Sequence, residues 1–142
     1  MSTANRRSLS LTLASEPKQV KGFSLEQWRI ARLEPGNVGP HVLDLQLYMT
    51  ERSAYRFNLG SAEPQLFVRC GFAGQAAHPD AITASQDVAA GWMDGEQQVL
   101  ETPMPLAIQI WLEAYLARHG EAPDAGRKKK RKGAGRARED LA

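Results

Sequence analysis

A single cysteine, Cys70, in a chain of 142 residues excludes an internal disulfide and a cysteine-anchored zinc cluster. With no secretory signal either, a reducing compartment, the cytoplasm, is the expected setting. Histidine is nearly as scarce: His41, His78 and His119 stand alone, none with a cysteine, histidine or acidic partner at the spacing of a zinc or iron site. Long hydrophobic runs are missing too. No segment reaches the roughly 18 consecutive apolar residues of a membrane span. There is no Gly-x-Ser-x-Gly elbow, no Ser/His/Asp arrangement and no glycine loop fit to cradle a phosphate. The carboxylates are scattered; Asp94 and Glu96 stand close together, but at an expected helix end, where they read as capping and turn residues. Neither a cofactor nor a catalytic machine is therefore expected.

What the chain does have is ordinary globular composition, with 42% apolar and 24% charged residues, enough for one domain with a real core. Arg6-Arg7 before a leucine-rich stretch resembles a twin-arginine export signal. The apolar region of such a signal runs unbroken for about 7–15 residues. Here a hydroxyl residue interrupts the leucines and Ser15-Glu16-Pro17-Lys18 ends the run, so Leu9, Leu11 and Leu13 read as a half-buried strand. A polar connection over residues 15–26 is expected next. Trp28, Ile30 and Leu33 mark a second strand, closed by the turn Glu34-Pro35-Gly36-Asn37. From His41 to Met49, Leu43, Leu45 and Leu47 alternate with Asp44 and Gln46 as a third. Thr50 to Ser53 then reads as a hairpin loop, and Tyr55, Phe57 and Leu59, alternating with Arg56 and Asn58, as an antiparallel partner strand. Leu66, Val68 and Cys70 define a further strand with Arg69 on its opposite face.

After the Gly71 to Asp80 loop, Ser85 suits a helix N-cap with Asp87 in the first turn, and Asp94-Gly95 suits its end. A last strand is expected from Gln97 to Thr102. Pro105 and Gly120 then bracket a helix on which Ile108, Trp111, Leu112, Tyr115 and Leu116 form one apolar stripe. The expected architecture is α+β: an antiparallel meander of about five to six strands covered by the C-terminal helix. A short helix and a disordered basic tail complete it. The expected division is 1–7 flexible, 8–120 one domain and 121–142 tail.

Charge is distributed unevenly. Eight of the 18 basic side chains fall between residues 127 and 138, leaving residues 1–126 with 10 basic and 14 acidic groups, a net of −4. Arg127, Lys128, Lys129, Lys130, Arg131 and Lys132 are six consecutive cations. Such a run binds phosphates without reading sequence, and equally an acidic protein or anionic headgroups; it also serves as a plain solubilising tail. Cys70 next to Arg69 has one feature of an activated thiol, but its place on the apolar face points to a buried, inert one.

Several segments in order carry a resemblance: Ala54-Tyr55-Arg56-Phe57-Asn58-Leu59, Pro64 to Arg69, Ile82-Thr83-Ala84-Ser85 and Asp94-Gly95-Glu96. Val99 to Pro105 with its Pro-Met-Pro, Trp111 and the basic C-terminus continue it. From about Leu9 to Lys132 the chain resembles the bacterial family known as domain of unknown function 3305, whose genes are often found beside formate dehydrogenase genes. The resemblance implies an accessory role around that enzyme, in assembly, cofactor insertion or subunit docking. On this reading the chain is a non-catalytic, cytoplasmic binding protein. A formate dehydrogenase subunit is the expected partner, and Arg56, Asn58, Arg69 and the cations 127–132 are the contact candidates. The alternative is a nucleic-acid-associated protein acting through its tail. The net acidic charge of residues 1–126 favours the protein partner, because nucleic-acid modules usually carry basic residues on the folded face as well. A small enzyme using Cys70 is a third reading.

Overall fold

The computed structural model describes residues 5–120, so the basic run expected as a tail lies outside the described residues. The order is β1 (Arg6–Val20), β2 (Phe23–Pro35), β3 (His41–Gln46), a 3-10 turn (Met49–Glu51), α1 (Arg52–Leu59), β4 (Gln65–Phe72), β5 (Ala81–Thr83), α2 (Gln86–Asp94), β6 (Gln97–Pro103) and α3 (Leu106–His119). The fold is mixed, with antiparallel pairing in both sheets.

The strands do not form one continuous meander. They build two three-stranded sheets, β2-β1-β3 and β5-β4-β6. In each, the first strand lies in the middle and its two followers flank it, so the chain must cross β1 between β2 and β3. The crossing loop is pinned where the Val38 amide donates to Ser10 Oγ at 3.0 Å. β3 lies beside β5 and β2 beside β6, although among the described residues no ladder joins either pair.

The core is built as the alternation dictates. Leu9 and Leu11 of β1, Leu45 of β3, and Leu66, Val68 and Cys70 of β4 are buried in one cluster with the α3 stripe. All five stripe residues, Ile108, Trp111, Leu112, Tyr115 and Leu116, point inward. Pro105 stands just before the first helical residue, its carbonyl accepting the Ile108 and Gln109 amides. The helix stops at Gly120, whose amide closes on Leu116 O at 2.8 Å. On α2, Ser85 Oγ accepts the Val88 amide at 3.2 Å, as an N-cap should.

Two segments depart from expectation. Residues 52–59 are the helix α1, not a strand pairing with β3. Tyr55, Asn58 and Leu59 sit at i, i+3 and i+4 and face inward, whereas Phe57 is 70% exposed. The apolar alternation of Tyr55, Phe57 and Leu59 therefore carried no burial information. Thr50 to Ser53, expected as a hairpin loop, instead enters that helix through the 3-10 turn. Residues 15–26 are likewise no loose connection. β1 runs through to Val20 and β2 begins at Phe23, joined by a two-residue turn with positive φ at both Lys21 (51°) and Gly22 (85°). This is the twist-matched reversal that two-residue hairpins prefer.

Candidate functional site

The residues expected to contact a partner separate into different surroundings. Asn58, expected on an outer strand face, is 3% exposed. Its Nδ2 donates to Gln65 O (2.7 Å) and Ala84 O (2.8 Å), and its Oδ1 accepts the Gln65 amide (3.0 Å). Its side chain ties the end of α1 to the start of β4 and to the entry of α2, which makes it a fold residue rather than a contact one. Arg69 donates from Nε to Asp80 Oδ1 at 2.9 Å, and its guanidinium lies 5.3 Å from the centre of the Trp92 ring. It holds the outer face of β4 to α2. Arg56 reaches across from α1 to α3, where Nη1 meets Glu113 Oε1 at 3.1 Å in a half-exposed ion pair. Such pairs contribute at most about 1 kcal/mol, so its importance is positional. Arg127 to Lys132 lie outside the described residues.

Cys70 is fully buried in the core, its Sγ 3.7 Å from Val68 O. Burial, with a smaller contribution from the Asp80 carboxylate, pushes its pKa up to about 11. Arg69 spends its guanidinium on Asp80 and Trp92, so it does not activate the thiol. At neutral pH the group is an uncharged core thiol, and this site favours no nucleophilic chemistry.

The structure also brings together groups that the sequence kept apart. His41 on β3 and His78 in the loop before β5 meet edge to face at 6.1 Å between ring centres. Among the described residues no third ligand makes this or any other cluster a metal site. A partly buried polar chain runs from Glu51 Oε1, which accepts from Ser85 Oγ (2.6 Å), to Thr83 Oγ1, which accepts the Ser85 amide (3.0 Å). It fixes the α2 N-terminus against the turn that leads into α1.

Among the exposed apolar side chains of the described residues, two sets bear on docking, and sequence reasoning placed neither. One spans the helices. α1 lies between α3 and α2; Leu106 (68% exposed) and Ile110 (61%) share the outer side of α3 with Glu113, the partner of Arg56, while Phe57 (70%) projects from α1 beside the start of α2. Below Phe57 a shallow depression of about 310 Å³ is lined by Ser53, Ala54, Gln86 and Asp87. The sequence signal was present: α3 is apolar on its outer side as well as along its stripe, a pattern of helices covered on both faces. The other surface is the hairpin tip, where Val20, Phe23 and Leu25 are exposed.

A family model described as "Protein of unknown function (DUF3305)" matches residues 39–132, more than half of the chain. The chain belongs to the DUF3305 family. The DUF3305 match begins at Gly39 and not at Leu9 as the resemblance suggested, so it takes in β3 through α3 and leaves out β1 and β2. The helical surface falls within it and the hairpin tip outside. No curated protein and no solved structure gives a significant match. Among the described residues no helix is long and apolar enough to cross a membrane.

Proposed function

We propose that this DUF3305 protein is a non-catalytic accessory protein of the cytoplasm that docks a protein partner on the outer face of α1 and α3. The observation that carries the reading is the exposure of three large apolar side chains, Phe57 on α1 and Leu106 and Ile110 on α3, on two helices joined by the Arg56–Glu113 pair. Exposed large apolar side chains together with an arginine have the composition of an interface centre. Exposing three of them has no folding rationale, because the opposite faces of both helices already supply the core. A formate dehydrogenase subunit under assembly or maturation is the proposed partner, a choice that rests on the gene neighbourhood attributed to the family. The six consecutive cations at 127–132 favour a second reading, nucleic-acid association through that run.

The test is co-purification with the dehydrogenase subunit after nuclease treatment. The wild-type chain should carry the subunit, and Phe57→Ser with Ile110→Ser should lose it while melting unchanged. Unaltered formate dehydrogenase activity in cells lacking the gene would remove the accessory role. Binding to a generic duplex at about 0.15 M salt, without subunit capture, would favour the nucleic-acid reading instead.

A further inference from the structure

From Ser15 to Gln27 every residue of the β1–β2 hairpin is exposed; Ser24, Leu25 and Glu26 border a shallow depression shared with the Gly74–Ala76 loop and Gln98, and none of the thirteen joins the core. A two-stranded ribbon gains little by itself, and apolar side chains at its tip contribute nothing to the core. Yet the register sets Val20 opposite Phe23 and Lys18 opposite Leu25. Side chains two apart share a face, so all four project from the same side. Val20 is 38%, Phe23 71% and Leu25 54% exposed. Lys21 occupies the apex of the turn. From Lys18 to Leu25 there are two lysines and no carboxylate. In a chain whose first 126 residues are net acidic, the tip is a locally basic, apolar point.

We propose that this tip docks on an anionic lipid surface. Such docking combines buried apolar area with electrostatic attraction, and stable attachment takes two signals. The tip supplies both, Val20, Phe23 and Leu25 the apolar area and Lys18 and Lys21 the charge. A bilayer suits the narrow ribbon better than a protein groove does. A specific protein interface needs about 800 Å² from each side, which three side chains on a two-stranded tip do not provide. A lipid surface needs no matching pocket. Glu16 and Glu26 mark the edge of the patch toward the core. The proposal is independent of the helical docking face, and the two fail separately.

Flotation of the full chain with vesicles at about 0.15 M salt tests it. Vesicles of mixed phosphatidylglycerol and phosphatidylcholine should carry the protein, and vesicles of phosphatidylcholine alone should not. Phe23→Ser with Leu25→Ser should lower partitioning about tenfold or more with no change in melting temperature. Lys18→Glu with Lys21→Glu should weaken binding to the anionic vesicles in the same direction. Failure of the wild-type chain to float with anionic vesicles overturns the proposal. So does full binding by the serine variant, which would leave the cations as the sole attachment. A switch from dimer to monomer in the serine variant by light scattering also overturns it, since the tip would then dock a second copy.

Discussion

Burial displaces the core groups Cys70, Tyr55 and Tyr115 in the same direction. The Cys70 thiol moves from an ordinary 9.0 up to about 11, chiefly by desolvation. The Tyr55 hydroxyl moves from 10.0 up to about 12 for the same primary cause, although it accepts the Tyr48 amide at 3.0 Å. An acid whose pKa is raised by folding adds no pH dependence below its unfolded value, because both states hold the proton. Above that value the unfolded chain releases the proton while the folded chain keeps it, so stability falls as pH rises. For Cys70 the window is pH 9 to 11, and two units correspond to about 2–3 kcal/mol. Denaturant midpoints followed from pH 8 to 11 should therefore fall, with Tyr55 extending the loss toward pH 12. In Cys70→Ala the fall between pH 9 and 11 should be shallower, on top of a constant offset for the lost side chain. The same slope in both proteins would show that the thiol is not buried as described. Native protein at pH 8 should also resist Ellman's reagent until unfolded.

At the scale of elements, α3 makes the most direct claim, because one helix carries a buried face and an exposed apolar one. Trp111 is 9% exposed, has the Arg7 guanidinium 4.8 Å from its ring centre and packs in the main cluster. Trp111→Ala should lower stability by about 3–5 kcal/mol. Ile110→Ser, one residue earlier on the exposed side, should stay within about 0.5 kcal/mol. Equal costs in chemical denaturation would mean that the helix faces are wrongly assigned. This helix was legible in the sequence because five apolar residues repeat at helical spacing between Pro105 and Gly120. α1 was not, because its eight residues fit two periods and the decisive inward position, Asn58, is polar. A hydrophobic count cannot recognise a side chain buried for three hydrogen bonds to the backbone. The distal hairpin was illegible for the opposite reason: a ribbon with no buried face has no alternation to read. Of the expected contact residues, the sequence placed Arg69 on its face correctly; the exposure of Ile110 was legible in the apolar outer side of α3, but that of Phe57 was hidden by reading α1 as a strand.

On the scale of the whole molecule, the two sheets repeat one plan. A central first strand is flanked by its two followers, and each set is closed by a helix, α1 after β3 and α3 after β6. Both sheets give their inner faces to one cluster, and the distal hairpin lies outside that economy. Its register shift at Thr12/Leu13 falls where β1 leaves the core, since Leu9 and Leu11 before it are buried and residues from Ser15 onward are exposed. Replacing Pro17 to Glu26 with Asn-Gly, which keeps a two-residue turn between Glu16 and Gln27, removes no buried residue. The shortened protein should therefore keep its fold, with stability changed by no more than about 0.5 kcal/mol. The same variant separates the two docking surfaces. It retains Phe57, Leu106, Ile110 and the Arg56–Glu113 pair, so it should still carry the dehydrogenase subunit, while its partitioning to phosphatidylglycerol vesicles should fall as far as that of Phe23→Ser with Leu25→Ser. Loss of subunit capture with an unchanged melting temperature would move the protein-docking site to the hairpin. A large drop in melting temperature would show that the ribbon supports the core after all, through Ser24, Leu25 and Glu26, which line a depression with Trp28, Gly74, Gln75 and Gln98.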